Sequence, residues 1–391
     1  MLRIINTVFV MTGYECNLSC KYCMQSDVRN SKPLKMSNIP LVADYLEAIA
    51  ARQEESFNVH FYGGEPLLYL DEIKQLVERL KRVSNINFSM VSNGTLITDE
   101  VLRYLNENDF GVCVSWDGRN VLETRGVDVL KENPNILKLD LLQISAVLSS
   151  KAYFSDILQE LTKYQAQYKQ AHDRYINFNI DLIQQHGSMD ESLLDLDLAR
   201  IDREMKYMIQ EYDKSMKGQE HEIFAARLIG MWISTAQHSV WRMFRNTEYS
   251  RSMVRCHNGY TTLNMDLSGR LYQCHNDEDS FVGTVEDSYD YILENVMSQD
   301  NTKENCKVCK NCPAVYICNC GCIKIDQDAR ASGYCDLRKA VYAPILDYML
   351  SLGDDALTVK TDHPEMAKSF MDDNYVSAKA AALSSNAVSA D

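Results

Sequence analysis

The sequence of 391 residues contains no apolar run that approaches the roughly 20 residues of a membrane span. Its start, MLRIINTVFVMTGYEC, lacks the charged beginning, long apolar core and small-residue cleavage site of a secretory signal. Positive charge is also scarce, because 40 Lys and Arg stand against 55 Asp and Glu, a formal charge of −15. Phosphate binding draws its affinity from clustered Lys and Arg. We therefore predict a cytoplasmic protein with neither a membrane nor a nucleic acid as its partner.

Composition and strand pattern predict an α/β fold. With 46% hydrophobic and 24% charged residues, the chain has the composition of an ordinary globular protein, long enough for two or three units. Runs rich in β-branched and aromatic residues alternate with stretches of helical periodicity. The six strand-like runs of the first half are IINTVFVMTG, FNVHFYGG, NINFSMVSNG, GVCVSWDG, LDLLQISAVLS and YINFNIDLI. Such alternation is typical of a parallel sheet covered by helices, and six strands predict a partial (β/α)6 TIM-like barrel, open on one side.

The same patterns predict domain boundaries. We expect residues 1–240 to form the barrel with its linking helices, and residues 250–352 to form a cysteine-rich domain. Nine of the thirteen cysteines lie between Cys256 and Cys335, where little hydrophobic periodicity remains, so bound metal is expected to stabilise this segment. Residues 353–391 end in AKAAALSSNAVSAD, and their small and polar side chains predict a flexible tail.

The motif CNLSCKYC places three thiols, Cys16, Cys20 and Cys23, within eight residues. A disulfide, a zinc site and an iron–sulfur cluster are the usual reasons for such spacing. Disulfides are disfavoured in a reducing compartment, and structural zinc normally takes four ligands, for which no fourth lies nearby. The spacing suits a four-iron cluster held by three thiolates, with one iron left open.

CNLSCKYC resembles the signature of radical S-adenosyl-L-methionine (SAM) enzymes, in which the open iron binds the amino and carboxylate groups of SAM. The resemblance implies that Tyr22 lies by the adenine. It also implies that the turn formed by Gly63, Gly64 and Glu65 contacts the SAM amino group. Glycines at such a turn let the backbone approach a ligand closely.

Three further residues resemble SAM-binding positions of these enzymes. Ser115 in SWDG and Arg125 in ETRG resemble positions that bind the carboxylate or ribose of SAM. Arginine suits a carboxylate because its planar fork presents paired donors. Asn93 in SNG is either a turn residue or a ribose contact, and both alternatives stay open.

The later cysteines resemble the SPASM extension, a C-terminal module of some radical SAM enzymes that carries auxiliary iron–sulfur clusters. Seven cysteine and glycine positions match its pattern: Cys256, Gly269 to Cys274, Cys309, Cys312, Cys318, Cys322 and Cys335. The wiring known for this module implies one complete cluster and one incomplete cluster. The complete one would be held by Cys309, Cys312, Cys318 and Cys335, and the incomplete one by Cys256, Cys274 and Cys322. Cys306 and Cys320 are additional, so either could complete the second cluster or both could be free. Three 4Fe-4S clusters and SAM are the expected cofactors.

The resemblance implies hydrogen abstraction by a 5′-deoxyadenosyl radical, with a reductant such as flavodoxin or ferredoxin supplying the electron. Most SPASM proteins act on a peptide or protein substrate, so we predict oxidative modification, and specifically crosslinking, of a ribosomally synthesised peptide. Sulfatase-type oxidation of a Ser or Cys side chain and dehydrogenation of a small molecule are the competing activities. A role as an electron-transfer scaffold is the non-enzymatic alternative.

One sequence position distinguishes peptide crosslinking from sulfatase-type oxidation. Sulfatase-maturing relatives carry Asp directly after the Gx4C cysteine, whereas GRLYQCHND places His275 there, which favours a peptide-modifying relative. His275 could accept a proton or could be a structural loop histidine, and Asp277 is the weaker candidate for the base. Cys113, inside an apolar strand, is predicted to be a buried core thiol.

Overall fold

The computed structural model describes residues 5–28, 37–185, 188–244, 261–298, 308–309, 312–318, 320–322, 325 and 333–352. Nine strands lie in these parts of the chain. They are β1 (Thr7–Gly13), β2 (Phe57–Gly63), β3 (Ile86–Ser92), β4 (Gly111–Ser115), β5 (Leu141–Leu148), β6 (Asn177–Leu182), β7 (Thr262–Asp266), β8 (Arg270–Cys274) and β9 (Asp277–Thr284).

Helices separate the first six strands and form most of the remainder. They are α1 (Ile39–Ala50), α2 (Leu70–Leu80), α3 (Asp99–Glu107), α4 (Val121–Thr124), α5 (Val129–Glu132), α6 (Phe154–His172), α7 (Leu198–Met216), α8 (Ile223–Phe244), α9 (Tyr289–Ser298), α10 (Val315–Cys318) and α11 (Cys335–Ser351). Helix α2 shows why they form, because its buried residues recur at helical spacing: Ile73, Leu76, Val77 and Leu80.

All nine strands form one sheet in the order β6-β5-β4-β3-β2-β1-β7-β8-β9. Strands β1 to β6 pair in parallel, as the alternation of strands and helices predicts, and all six predicted strands are confirmed. Strand β7 also runs parallel to β1, whereas β8 and β9 follow as antiparallel strands. The sheet therefore extends three strands beyond the predicted six, on the side of β1.

The two faces of the parallel strands differ in polarity. Along β2, β3, β5 and β6, fully buried apolar residues alternate with half-buried or exposed residues, many of them polar. Strand β2, FNVHFYG, is typical: Phe57, Val59 and Phe61 are completely buried, whereas Asn58 and His60 between them are half-buried. One face thus forms the core with the helices. The other is a polar face, which we call the recessed face.

The recessed face extends across several strands. It carries Tyr62 on β2 and Asp181 on β6, with three strands between them. Strands β6 and β9 are the two edges of the sheet, so the sheet is open, as in the predicted partial barrel.

The chain divides into two compact units. The first comprises residues 1–196 and 256–300, and the second comprises residues 197–255 and 301–391. Within the first unit, β7 pairs with β1, and within the second, α7 packs against α8 and α11. The domain boundaries predicted from the sequence, residues 1–240, 250–352 and 353–391, stay a prediction, and residues 353–391 lie outside the described residues.

Candidate active site

The cysteine loop, residues 14–28, follows β1 directly. The backbone N–H of Lys21 donates to the carbonyl of Thr124 (2.9 Å), and the N–H of Asp190 donates to the carbonyl of Lys21 (2.8 Å). A turn joins the last two cysteines, since Cys23 N–H donates to the carbonyl of Cys20 (3.2 Å). Backbone bonds to two distant segments therefore hold the loop in place.

The three thiols of this loop lie close enough to influence one another. Cys16, Cys20 and Cys23 are all half-buried. Burial raises the pKa of Cys20, the Arg125 guanidinium opposes this effect, and Cys23 and Cys16 raise the pKa further. A guanidinium near Cys20 suits a negatively charged, thiolate-held group in this loop. In the described parts of the chain, no three or more His, Cys, Asp or Glu side chains are arranged to hold a single metal ion.

Arg125 and Tyr22 meet at a buried carboxylate, that of Asp117. Arg125 Nε lies 3.0 Å from Asp117 Oδ2 and its Nη2 lies 3.3 Å from Oδ1. The Tyr22 hydroxyl donates to the same carboxylate, as do Thr124 Oγ1 (2.7 Å) and the N–H of Val147 (3.0 Å). Burial alone would lower the pKa of Arg125, but Asp117 raises it, so the guanidinium stays charged.

Tyr22 and Arg125, both predicted to bind SAM, each contact Asp117 in this network. The Arg125 guanidinium carbon lies 5.2 Å from the centre of the Tyr22 ring, and Asp117 is completely buried. Asp117 therefore positions both side chains beside the cysteine loop. Their contacts with SAM stay a prediction, as does that of Ser115, which is half-buried at the end of β4. Asp117 stands in the motif SWDG, but nothing in the sequence alone indicates this role.

The Gly-Gly-Glu-Pro turn packs against the start of the cysteine loop. Gly64 N–H donates to the carbonyl of Gly13 (2.8 Å), and Glu65 N–H donates to that of Glu15 (2.8 Å). A Cβ on Gly64 would lie 2.1 Å from the Glu15 carbonyl oxygen, and Gly63 has a φ of +142°. The glycines are therefore needed for the approach of this chain's own backbone.

Glu65 is buried and accepts three hydrogen bonds. They come from Leu67 N–H (3.1 Å), Ser92 Oγ (2.8 Å) and Asn93 N–H (2.7 Å). Burial raises the pKa of Glu65, and these donors lower it. In this structure, the Glu65 side chain links the ends of β2 and β3, and its contact with the SAM amino group stays a prediction.

Asn93 connects the end of β3 to the cysteine loop. Its Oδ1 accepts from Thr95 N–H (3.0 Å), which is a turn contact. Its Nδ2 donates to Asn17 Oδ1 (2.7 Å) and lies 3.9 Å from Cys16 Sγ. The turn alternative predicted from the sequence is observed, and the ribose contact stays a prediction.

His275 lies beside the cysteine loop. Its ring stacks on Phe9, with ring centres 4.7 Å apart, and meets the edge of Tyr62 at 4.5 Å. Gln25, in the cysteine loop, donates its side-chain amide to the His275 carbonyl (3.3 Å). Tyr62 interacts electrostatically with Cys23 and Cys274. The fold thus places His275, the predicted base, in one group of side chains with Tyr62 and Cys23.

The hydrogen bonds of Asn264 define the tautomer of His275. Asn264 Nδ2 donates to the carbonyls of Gln273 (2.8 Å) and Tyr272 (3.3 Å), so its Oδ1 faces His275 Nδ1 at 3.0 Å. Nδ1 therefore carries the proton, and Nε2 is the acceptor nitrogen. Burial and the nearby His60 lower the pKa of His275 to about 4, so the ring is neutral at neutral pH. Asp277 instead accepts a bond from Asp279 N–H (3.1 Å) in its own turn.

The recessed face carries further polar residues that sequence reasoning did not select. His60 Nδ1 contacts Ser89 Oγ (2.6 Å), and burial lowers the pKa of His60 to about 4. The Asp181 side chain is exposed, yet desolvation raises the pKa of its carboxyl group. A side chain that lines a recess can be accessible to water and still be partly desolvated. Cys113 lies on this face too, half-buried rather than in the predicted core, and burial raises its pKa to about 12. In the sequence, the alternation of polar residues along the strands is the signal for this polar face.

In the second compact unit, five cysteines line one cavity of about 300 Å³. They are Cys309, Cys312, Cys318, Cys320 and Cys335. The group contains all four residues predicted to hold the complete auxiliary cluster, and Arg338 lines the cavity as well. Several thiols and a buried guanidinium suit a negatively charged iron–sulfur cluster. The donor set therefore fits such a group.

The remaining predicted ligands lie elsewhere. Cys274 is buried at the end of β8, and Cys322 N–H donates to the Tyr334 hydroxyl (3.1 Å). Cys256 and Cys306 lie outside the described residues. Cys320 is a fifth thiol at the cavity above, with a φ of +63°, and its role as a ligand of the incomplete cluster stays a prediction.

Comparison with known families decides the identity of the first unit. The sequence profile of the Radical SAM superfamily matches residues 10–122, which include the cysteine loop and strands β2, β3 and β4. Residues 10–122 therefore form a radical SAM domain. The predicted recognition is thereby confirmed, and SAM and 4Fe-4S clusters are the cofactors of this superfamily. Cys16, Cys20 and Cys23 are the residues that would hold its SAM-binding cluster.

Individual relatives include a cyclopropyl synthase and a sulfatase-maturating enzyme. Radical SAM cyclopropyl synthase TigE of Paramaledivibacter caminithermalis is 25% identical over 161 residues, which cover 34% of this chain and 34% of TigE. The cysteine-type anaerobic sulfatase-maturating enzyme of Clostridium novyi is 23% identical over 345 residues, 78% of this chain and 84% of that enzyme. The match to TigE thus spans only about a third of that protein's length.

Solved structures show the same fold. Native anSMEcpe with bound AdoMet and the Cp18Cys peptide has a TM-score of 0.64 at 16% identity, covering 90% of this chain and 99% of that one. Streptococcus suis SuiB bound to its precursor peptide SuiA has a TM-score of 0.55 at 16% identity, covering 82% and 72%. Among the described residues, no helix combines the length and apolarity needed to cross a membrane.

Proposed function

We propose that this radical SAM enzyme oxidatively modifies, and crosslinks, a ribosomally synthesised peptide. The observation that carries the proposal is the meeting of the cysteine loop, Tyr62 and His275 at the open recessed face of the sheet. A substrate placed on this face lies beside the loop that would hold the SAM-binding cluster. The peptides bound to anSMEcpe and SuiB support a peptide as the occupant.

The proposed chemistry divides between the cofactors and the chain. When bound, SAM and its cluster supply a carbon-centred radical that removes a hydrogen atom from the substrate. Residues of the chain then orient the substrate, exclude water and accept a proton. His275 is the proposed proton acceptor, because Asn264 leaves its Nε2 unprotonated. Cys309, Cys312, Cys318 and Cys335 would hold the group that takes up the second electron.

Two features favour a peptide crosslink over the competing activities. His275 stands where the resemblance expects Asp in sulfatase-maturing enzymes, which disfavours oxidation of a Ser or Cys side chain. The relationship to TigE, named as a cyclopropyl synthase, supports bond formation. A flavodoxin or ferredoxin is the proposed electron donor, and the cytoplasm is the proposed location.

The product of the reaction tests this proposal. Neighbouring genes are searched for short peptide reading frames. Anaerobically reconstituted protein is then incubated with SAM, a reductant and each candidate peptide, and the peptide is analysed by mass spectrometry. We expect loss of two hydrogens, about 2 Da, because the cofactors remove hydrogen and an electron without adding a group. An unchanged mass with inverted stereochemistry would indicate epimerisation, and a gain of oxygen or methyl would refute crosslinking. Absence of 5′-deoxyadenosine under every condition would favour the scaffold role instead.

Asp181 provides a test of the recessed face. We expect Asp181→Asn to lower peptide product formation about 10- to 100-fold, the equivalent of one charge-assisted hydrogen bond to the substrate. Formation of 5′-deoxyadenosine without peptide should change much less, because Asp181 lies on β6 rather than in the cysteine loop. Both products are measured by liquid chromatography.

Asp279→Asn is the matched control, since this carboxylate is exposed on β9. It removes the same charge from the same compact unit. Equal product formation by the two variants would show that the peptide does not contact Asp181.

A further inference from the structure

Arg338 lies almost completely buried at the cysteine-lined cavity of the second unit. Its side chain is part of the cavity wall, and the residue is 5% exposed. The guanidinium carbon lies 3.4 Å from the centre of the Tyr334 ring, and Nη1 donates to the Tyr334 carbonyl (3.2 Å). Both contacts fix the guanidinium without neutralising its charge.

The charge of Arg338 faces thiols. Among the described residues, no carboxylate lies within ion-pair distance of Arg338, and the neighbouring Asp336 pairs with Lys339 (3.6 Å). Arg338 follows Cys335 by three residues on α11, so the two share one side of the helix. Burial raises the pKa of Cys318 to about 11, and Arg338 opposes this shift. A buried cation needs a compensating anion, and here thiolates are the groups able to supply it.

We propose that Arg338 sets the reduction potential of the cluster held in this cavity, by stabilising the more negative, one-electron-reduced form. The inference rests on the proposed auxiliary cluster. Net charge near an iron–sulfur cluster, hydrogen bonds to its sulfurs and solvent exposure determine its potential. A fixed guanidinium in a buried site changes the net charge near the cluster, and water screens this charge only weakly. The consequence is a cluster that takes an electron from the substrate more readily than it would without Arg338.

Lys339 provides a matched comparison. It lines the same cavity and carries the same charge, but its side chain is 59% exposed and paired with Asp336. Water and the partner carboxylate screen this charge. Removing it should therefore shift the potential less than removing the charge of Arg338.

The test is a redox titration with dithionite, followed by electron paramagnetic resonance, on full-length protein carrying Ala at Cys16, Cys20 and Cys23. This background removes the signal of the SAM-binding cluster. Iron and sulfide in the parent protein are measured first, because their absence from the second unit would refute the auxiliary cluster itself. We expect Arg338→Gln to move one midpoint potential to a more negative value, Arg338→Lys to stay near the parent, and Lys339→Met to shift it less than Arg338→Gln.

Iron content determines how the result is interpreted. If Arg338→Gln retains iron and its midpoint equals that of the parent or of Lys339→Met, the proposal is overturned. If Arg338→Gln loses iron while Arg338→Lys keeps both iron and the parent midpoint, the charge is required and the proposal stands. Loss of iron from both variants would show that the site needs the packing of the guanidinium on Tyr334 rather than its charge, and would overturn the proposal.

Discussion

Replacing Cys16, Cys20 and Cys23 together with alanine is expected to reduce SAM cleavage to the background level. Among the described residues, the cysteine loop contains no thiols besides these three. Without them, the SAM-binding cluster would have no thiolate ligands in this loop. The protein should also lose about four irons per chain, the content of one 4Fe-4S cluster. Iron analysis and chromatography of 5′-deoxyadenosine measure the two effects.

Cys309, Cys312, Cys318 and Cys335 belong to the other compact unit, so the cluster that they would hold should persist in this triple variant. Ser26→Ala is the matched control, because it changes the same loop without removing a thiol. Circular dichroism establishes that each variant is folded, since metal binding and folding are coupled in such sites. Cleavage at the wild-type rate in a folded triple variant would mean that another part of the chain supports the reaction.

Asp117→Asn is expected to destabilise the first compact unit by about 3–5 kcal/mol, because it leaves the buried Arg125 guanidinium without its countercharge. Asparagine keeps the size of the side chain, so the loss reflects charge rather than volume. The effect is measured as a shift of the urea midpoint of the first unit. The variant should also bind the SAM-binding cluster less tightly, since Asp117 positions Tyr22 and Arg125 beside the cysteine loop.

Asp44→Asn is the control for this effect. Its carboxylate pairs with Arg79 at the same distance of 3.0 Å, but the two side chains are 66% and 37% exposed. Exposed pairs of this kind contribute under about 1 kcal/mol. The double variant Asp117→Leu, Arg125→Met should recover part of the stability, because it removes both buried charges together. Equal destabilisation by Asp117→Asn and Asp44→Asn would show that burial of the pair is energetically irrelevant.

The fold was predicted well where the information is local. Runs rich in β-branched and aromatic residues mark each of the six parallel strands, and the helices between them follow from periodicity of about 3.6 residues. The pairing of β7 with β1 was not predicted, because it joins segments some 250 residues apart and leaves no periodic trace in either. The same long-range pairing carries His275 to the cysteine loop, so its position could not be read from the motif GRLYQCHND.

The candidate site shows a similar division. The resemblance located Arg125 and Glu65, but it did not show that Asp117 and the end of β3 engage these side chains. A carboxylate and a guanidinium eight residues apart in an irregular segment have no fixed relative geometry until the backbone folds. Asp181 and His60 were missed for another reason: a single polar residue in a strand is equally compatible with a solvent-exposed edge and with a recess.

The sequence by itself determined which chemistry this protein can support. Thiol spacing within CNLSCKYC and the glycines of the following strand ends are properties of contiguous residues, and they sufficed to identify the superfamily. Only the tertiary structure decided which side chains meet: Asp117 with Arg125, His275 with Tyr62, and five thiols with Arg338 around one cavity. The physical reason is that charge compensation, desolvation and tautomer choice depend on neighbours in space, and the pairing of the strands and the packing of α11 supply those neighbours from distant parts of the chain.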